Sequence, residues 1–246
     1  MAESVSAPEA MAVAAVDPAH GAMCDPAYLW KGIIPYPPSS LRYAVGAPTL
    51  ENFLVVGDAW NQVLSRHISP QASVLDIGCG CGRTARFLAV NPHVRRYVGF
   101  DVIPENIAWN RRFIAPLAAG HFEFLHFDIF SAEYNPGGSI KASEFRFPAP
   151  DRSVNVAFAA SLFTHVLEPD AARYLSEVSR VLAPDGIAVL SIHDATTAEA
   201  PYVGTETRVD VYPPYWLRLA ARNGLALREH LGDLCGQDTY LLGVKS

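Results

Sequence analysis

The sequence lacks the features that mark several large classes of protein. Its 246 residues include only four cysteines, which fit a reducing compartment better than a disulfide framework. No apolar run reaches the roughly 20 residues of a membrane helix, and no basic region of a secretory signal is found, so we expect a cytoplasmic protein without a membrane span. The 19 basic residues are outnumbered by 25 acidic ones, and the net charge of −6 disfavours nucleic acid as a partner.

Patterns of metal ligands are also scarce. No set of His, Asp or Glu residues has a spacing that demands a metal ion, and Cys79-x-Cys81 is not a convincing metal pair. We therefore expect no metal, although carboxylates in a cleft could still bind one.

A glycine-rich loop is the most informative feature that the sequence does contain. An apolar strand pattern at 74–77 leads into three alternate glycines, Gly78, Gly80 and Gly82. Such a loop leaves no side chain between its main-chain N–H groups and a ligand. The spacing differs from the Gly-x-Gly-x-x-Gly of dinucleotide binders, and Asp76 precedes the first glycine by two positions. This pattern favours a ligand with an amino group over a pyrophosphate.

A second strand pattern at 97–100 ends in Asp101. This is the distance downstream of a glycine loop at which a carboxylate accepts the hydroxyls of a ribose, so we expect a nucleoside ligand. Two plainer interpretations remain open. The loop could be a tight turn without a ligand, and Asp101 could cap the following helix.

Three motifs in this order resemble class I S-adenosylmethionine-dependent methyltransferases, namely VLDIGCGCGRTARFL, YVGFDVIPENI and FLHFDI. The resemblance covers roughly residues 73–246 and implies S-adenosylmethionine as the cofactor. It implies that Asp76 contacts the amino acid end of the cofactor and that Asp101 binds the ribose. The other cofactor residues that it suggests are Gly78, Cys79, Gly80 and Gly82 in the loop, Val102, Asp128 and Ile129 at the adenine, and Ser161 after the fourth strand.

Strand and helix patterns alternate along the chain, which predicts an α/β fold with a mainly parallel sheet covered on both faces. Half of the residues are hydrophobic, enough for one substantial core. Predicted strands occupy 74–77, 97–101, 122–127, 154–160, 186–192, 225–231 and 239–244, and predicted helices 50–68, 83–90, 104–117, 170–182 and 214–223. The resemblance makes this a Rossmann-like doubly wound sheet of seven strands, the last one antiparallel.

Three regions are predicted along the chain. Residues 1–25 are rich in Ala, Pro, Glu and Ser and are interpreted as a disordered tail. Residues 26–70 form an N-terminal cap segment and helix, and residues 71–246 form the methyltransferase domain. The proline-rich and aromatic segments 28–48 and 129–150 suit lids over the site, or alternatively packed surface segments.

Candidate residues for the acceptor side follow the fourth and fifth strands. His165 is the first candidate for a general base, because its ordinary pKa is near neutral, although it could instead cap or pack a helix start. His193 is a weaker candidate, with an ordinary loop role as the alternative. Arg42 and Tyr43 could close over the carboxylate of the cofactor, or Arg42 could be an exposed surface residue.

These interpretations predict a methyltransferase that acts on oxygen in a small molecule or a saccharide by direct in-line transfer. Nitrogen and carbon acceptors remain open. A different kind of protein is also possible, because a fold does not imply a function: a sensor or scaffold that binds the cofactor without catalysis. A further alternative is an enzyme that uses an altered cofactor, although the acidic amine-binding site it would need is not evident.

Overall fold

The computed structural model of the protein describes residues 34–245. The tail predicted at 1–25 and the first part of the cap segment lie outside the described residues. Within this range no helix is long and apolar enough to cross a membrane.

Seven strands form one sheet, and two shorter strands form a separate hairpin. The strands are β1 (Ala72–Ile77), β2 (Val94–Asp101), β3 (His121–His126), β4 (Val154–Ala159), β5 (Leu182–Ile192), β6 (Tyr202–Thr205), β7 (Arg208–Val211), β8 (Leu225–Asp233) and β9 (Asp238–Val244). All seven predicted strands are present in the large sheet. The β6–β7 hairpin was not predicted.

The sheet order is β3-β2-β1-β4-β5-β9-β8. Strands β1 to β5 pair in parallel, whereas β9 runs antiparallel to both β5 and β8. This confirms the Rossmann-like sheet with an antiparallel last strand. From β1 the chain adds β2 and β3 on one side, and then returns to add β4 and β5 on the other side. The connections that leave β1 and β4 therefore run in opposite directions and open a crevice at the carboxyl ends of these strands.

The helices cover both faces of the sheet, as predicted. They are α1 (Ser39–Ala44), α2 (Leu50–Ser65), α3 (Ala85–Leu88), α4 (Pro104–Phe113), α5 (Glu168–Val181) and α6 (Pro213–Arg222). One hydrophobic core joins α5 and α6 to the sheet, and a second core joins α2, α3 and α4 to its other face.

Two helices differ in length from their predictions. The helix predicted at 104–117 ends at Phe113 and is followed by a short 3₁₀ turn at Ala115–Leu117. Pro116 explains this end, because proline has no N–H to donate and its ring clashes with the preceding turn. The helix predicted at 83–90 is reduced to the four residues of α3.

Candidate active site

A cavity of about 740 Å³ lies at the carboxyl ends of β1, β2 and β4. It brings together nine of the residues that the sequence analysis assigned to the site: Asp76, Gly78, Cys79, Gly80, Asp101, Val102, Ile129, Ser161 and His165. Four assigned residues do not line it: Arg42, Gly82, Asp128 and His193. The cavity has the position expected for a ligand site in a doubly wound sheet.

Asp76 is the next-to-last residue of β1 and is buried, with 2% of its surface exposed. Burial raises its pKa to about 7, although the Tyr97 hydroxyl donates a hydrogen bond to it. Within residues 34–245 no basic side chain forms an ion pair with Asp76. A buried carboxylate without a cation at a cavity wall fits a ligand that brings a positive charge.

Asp101 lies at the end of β2, on the neighbouring strand. One carboxylate oxygen accepts the N–H of Gly80 at 2.8 Å, and the other accepts the N–H of Ile103 at 2.8 Å. Burial raises the pKa of this carboxyl as well. Asp101 therefore ties the glycine loop to the turn before α4 while it faces the cavity.

The glycine loop passes close beneath the N-terminal segment. An ideal Cβ on Gly80 would lie 2.5 Å from Cγ1 of Val45, so only glycine fits there. Gly82 has a different role from the one predicted, because it packs away from the cavity. A Cβ there would lie 2.2 Å from Cδ1 of Ile114, so this glycine allows the loop to pack on the residue after α4.

Asp128, predicted at the adenine, does not line the cavity. Its carboxylate accepts hydrogen bonds from Asn135 Nδ2 at 3.0 Å and from the N–H and hydroxyl of Ser139 at 3.0 and 2.7 Å. These donors lower its pKa. The side chain thus holds the loop after β3 in shape, as a turn residue does, whereas its neighbour Ile129 lines the cavity.

His165 lines the cavity in the connection between β4 and α5 and is half-buried. Its Nδ1 lies 3.0 Å from the main-chain oxygen of Glu206. Because a carbonyl can only accept, Nδ1 carries the proton in this contact, and Nε2 is left as the acceptor. Burial lowers the pKa of His165, which keeps the ring neutral. The Tyr134 ring packs edge-on against it at 5.5 Å.

His193 and Arg42 do not line the cavity either. The main-chain oxygen of His193 accepts the N–H of Val211 at 2.7 Å, so this residue joins β7 to the end of β5. Arg42 is 5% exposed, and its Nη1 donates to the oxygen of Pro37 at 2.7 Å. It lies neither at the cavity nor on the surface, because α1 turns it inward; the adjacent Tyr43 lines the cavity.

Ser161 belongs to a closed set of hydrogen bonds at the cavity wall. Its hydroxyl accepts from Gln237 Nε2 at 2.8 Å, Gln237 Oε1 accepts from the Ser191 hydroxyl at 2.7 Å, and that hydroxyl accepts the N–H of Ser161 at 3.2 Å. The set connects the ends of β4 and β5 with the turn before β9. Gln237 was not anticipated from the sequence.

The segment 129–150 combines the two roles that were left open for it. Phe145 and Phe147 are buried, with ring centroids 5.4 and 5.2 Å from that of Phe100. Phe130 and Tyr134, by contrast, line the cavity. The second half of the segment is thus a packed anchor, and its first half forms a wall of the site.

Other residues of the cavity wall were also missed. They are Asn106, Arg83, Asp170, Glu133, Glu206 and Cys235. Arg83 stands directly after the last glycine of the loop motif. The alternating pattern of Tyr-Val-Gly-Thr and Arg-Val-Asp-Val around Glu206 could have revealed the hairpin.

Comparison with known proteins gives a family match over the centre of the chain. Residues 75–190 match the model of a family described as "Methyltransferase domain". This range contains the glycine loop, Asp101 and His165.

Solved structures share the fold. A TehB-like SAM-dependent methyltransferase from Corynebacterium glutamicum is 17% identical with a TM-score of 0.56, and the match covers 90% of this chain and 100% of that one. A 1,6-didemethyltoxoflavin-N1-methyltransferase from Burkholderia thailandensis, solved with S-adenosylhomocysteine, is 18% identical with a TM-score of 0.55 over 83% and 84% of the two chains. A magnesium protoporphyrin IX methyltransferase from Synechocystis is 14% identical with a TM-score of 0.56 over 80% and 88%.

Proposed function

We propose that this chain, whose residues 75–190 match a methyltransferase domain family and whose fold is shared by solved methyltransferases, is a class I S-adenosylmethionine-dependent methyltransferase that methylates an oxygen atom of a small molecule or a saccharide. The observation that carries the proposal is the position of His165. This neutral imidazole, with Nε2 free to take a proton, lines the same cavity as Asp76 and Asp101. One cavity thus offers a place for a donor and a base for an acceptor hydroxyl.

The residues of the cavity fit the cofactor. The buried carboxylate of Asp76 would accept from its amino group, Asp101 would accept from the ribose hydroxyls, and Val102 and Ile129 would pack against the adenine. When bound, S-adenosylmethionine supplies a methyl group on a positively charged sulfur. Gly78 and Gly80 place the loop backbone at the cavity wall, where it can lie against a ligand.

His165 would deprotonate the acceptor hydroxyl as that oxygen attacks. The N–H of its Nδ1 donates to Glu206, which fixes the orientation of the ring and stabilises the positive charge that develops. The walls formed by Phe130 and Tyr134 would exclude water and hold the acceptor in line.

The size of the cavity supports a small acceptor. Two solved structures with this fold are described as methyltransferases of 1,6-didemethyltoxoflavin and of magnesium protoporphyrin IX, which are small molecules. The first of these methylates a nitrogen, so nitrogen transfer is the second candidate here. The net charge of −6 and the free thiols of Cys79 and Cys81 support a cytoplasmic enzyme that does not act on nucleic acid.

Binding is tested first by calorimetric titration with S-adenosylmethionine and S-adenosylhomocysteine. We expect both to bind the native protein and to bind Asp101→Ala more weakly, since Asp101 would hold the ribose. A well-folded protein that binds neither compound would refute the cofactor assignment.

Acceptors are then screened with sugars, phenols and amines by following methyl transfer from a labelled donor. With an active acceptor, we expect His165→Ala to lower kcat/KM by more than about tenfold with unchanged S-adenosylhomocysteine affinity. His193→Ala is the matched control, because His193 does not line the cavity. Near-full activity of His165→Ala would favour a nitrogen acceptor. Binding of the cofactor without turnover of any acceptor would favour a sensor.

The pH profile gives a further check on His165. Burial lowers its pKa below the ordinary histidine value, and only the neutral ring can accept a proton. With S-adenosylmethionine kept saturating at every pH, we expect kcat/KM for the acceptor to be flat above neutral pH and to fall as the pH drops below the ordinary histidine range. The residual kcat/KM of His165→Ala should not show this decrease at low pH.

A further inference from the structure

Arg83 brings a buried positive charge to the cavity wall. Only 9% of its surface is exposed, and it lines the cavity directly after the glycine loop. Its hydrogen bonds go to neutral acceptors: Nη1 donates to the oxygen of Val45 at 3.0 Å, and Nη2 reaches the Ser161 hydroxyl at 3.5 Å. In the part of the chain that the structure describes, no carboxylate lies within the 4.0 Å of a salt bridge to this guanidinium. A buried charge without a counter-ion is costly, so the site favours an anionic ligand.

The position of Arg83 indicates which part of a ligand it meets. Its guanidinium reaches Ser161, after β4, whereas Asp101 lies at the end of β2 on the far side of β1. Asp76 on β1 is close enough to feel the positive charge, which opposes the rise of its pKa, yet the two side chains form no ion pair. One end of the cavity therefore presents an unpaired carboxylate and an unpaired guanidinium.

An α-amino acid group carries the complementary pair of charges, an ammonium and a carboxylate. We propose that Arg83 binds the carboxylate of the amino acid end of the cofactor, opposite the ammonium that Asp76 accepts. The planar guanidinium suits a carboxylate because it can donate two parallel hydrogen bonds. Arg83 thus takes the role that the sequence analysis gave to Arg42. This inference rests on the proposed function.

A purely structural role for Arg83 makes a different prediction. Arg83 also holds Val45, whose side chain lies over Gly80. If this were its only role, loss of the guanidinium would disturb the loop and weaken every ligand that contains adenosine. Two ligands separate the alternatives, because 5′-methylthioadenosine shares the nucleoside of S-adenosylhomocysteine and lacks the amino acid group.

The experiment measures the Kd of both ligands by calorimetry for the native protein, Arg83→Gln and Arg83→Lys. We expect the Kd of S-adenosylhomocysteine to rise about 10- to 100-fold in Arg83→Gln, the range for a lost hydrogen-bonded charge pair. The Kd of 5′-methylthioadenosine should change by less than about twofold, which is the size of change expected from a substitution that does not contact the ligand. Arg83→Lys should recover part of the loss, since it keeps the charge without the planar fork.

Arg112→Gln serves as the charge control. It removes one positive charge at an exposed site that does not line the cavity, and both affinities should stay unchanged. Thermal melting establishes that each variant is folded. If Arg83→Gln does not fold, the comparison of the two ligands in Arg83→Lys decides alone.

Two outcomes would overturn the inference: an equal loss of affinity for both ligands, or no loss for S-adenosylhomocysteine. Failure of the proposed function looks different, because the native protein would then bind neither ligand.

Discussion

Asp76 and Tyr97 form a buried pair whose chemistry determines how the site responds to pH. The phenol of Tyr97 is fully buried and stacks on Phe122 at 4.5 Å, which fixes the direction of its hydroxyl toward Asp76. Burial raises the pKa of Asp76 to about 7, while the hydrogen bond from Tyr97 lowers it. In the free protein Asp76 is therefore protonated in a large fraction of molecules near neutral pH.

This pair predicts that cofactor affinity depends on pH. A ligand ammonium is attracted by the carboxylate and not by the neutral acid, so S-adenosylhomocysteine should bind less tightly as the pH falls through about 7. We expect binding at pH 6 to be about tenfold weaker than at pH 8, since each pH unit below the pKa reduces the ionised fraction tenfold. Calorimetry across this range measures it, and 5′-methylthioadenosine should show little of the effect.

Tyr97→Phe provides the matched variant, because it keeps the ring stacked on Phe122 and removes only the hydroxyl. Without this donor the pKa of Asp76 should rise further, so the midpoint of the pH dependence should move above 7. A midpoint that stays in place would mean that Asp76 is not the group that titrates.

The same residues show what single-sequence reasoning can and cannot predict. The position of Asp76 and Asp101 at the cavity could be predicted because the end of a strand fixes where its side chains point, and the glycine loop defines the end of β1. Arg83 was missed, and Arg42 and Asp128 were predicted at the cofactor although they do not line the cavity, because flexible side chains take directions that depend on distant partners. For Arg83 those partners are Val45 and Ser161, the latter 78 positions away.

At the scale of elements, the β6–β7 hairpin connects the two loops of the acceptor side. The N–H of Val209 donates to the oxygen of Thr164 at 2.8 Å, which fixes the hairpin beside His165. At its tip the Glu206 carboxylate accepts a hydrogen bond from Ser131 of the 129–150 segment. The hairpin therefore shapes the half of the cavity proposed for the acceptor, while the ends of β1 and β2 build the half proposed for the cofactor.

Gly204 is the position where this hairpin can be tested. Its φ is +127°, and a Cβ there would lie 2.1 Å from the oxygen of Arg208, so alanine cannot fit without opening the strand pair. We expect Gly204→Ala to lower kcat/KM for an active acceptor by about tenfold or more, the cost of misplacing reacting groups. The Kd of S-adenosylhomocysteine should stay the same.

Gly137→Ala is the control for this substitution. Gly137 lies in the segment that meets the hairpin, and nothing lies within 4 Å of its ideal Cβ. Its kinetics should match those of the native protein. Equal losses of acceptor turnover and of S-adenosylhomocysteine affinity in Gly204→Ala would mean that the hairpin does not serve the acceptor half alone.

The elements also show where sequence patterns fail. The inner strands of the large sheet were found because burial on both faces makes them apolar runs, such as Val154–Ala159, whereas the edge strands β3 and β8 are more exposed. The hairpin strands have four residues each, and β6 is largely exposed, so their pattern is weak. The lengths of α3 and α4 depend on local breaks such as Pro116 rather than on periodicity.

At the scale of the whole molecule, the cavity lies between two separate cores. The core on one face contains α5 and α6, and the core on the other contains α2, α3 and α4. The cavity takes Tyr174 from the first and Trp60 from the second. A ligand in this position contacts both layers and is lost when either one unfolds, so its binding energy adds to the stability of the whole fold.

This arrangement predicts a large thermal shift on cofactor binding. A ligand that binds only the folded state at 100 times its Kd adds about 2.7 kcal/mol to the free energy of unfolding. For a domain of this size that corresponds to a rise in Tm of roughly 5–10 °C. We expect this rise for S-adenosylhomocysteine in a single unfolding transition, measured by calorimetry.

Asp101→Ala, compared at the same ligand concentration with its own ligand-free Tm, should show a smaller rise because it binds the ribose less tightly. An equal rise in Tm for both proteins would place the ligand away from Asp101. Two unfolding transitions, of which only one shifts to a higher temperature with ligand, would mean that the two cores unfold separately.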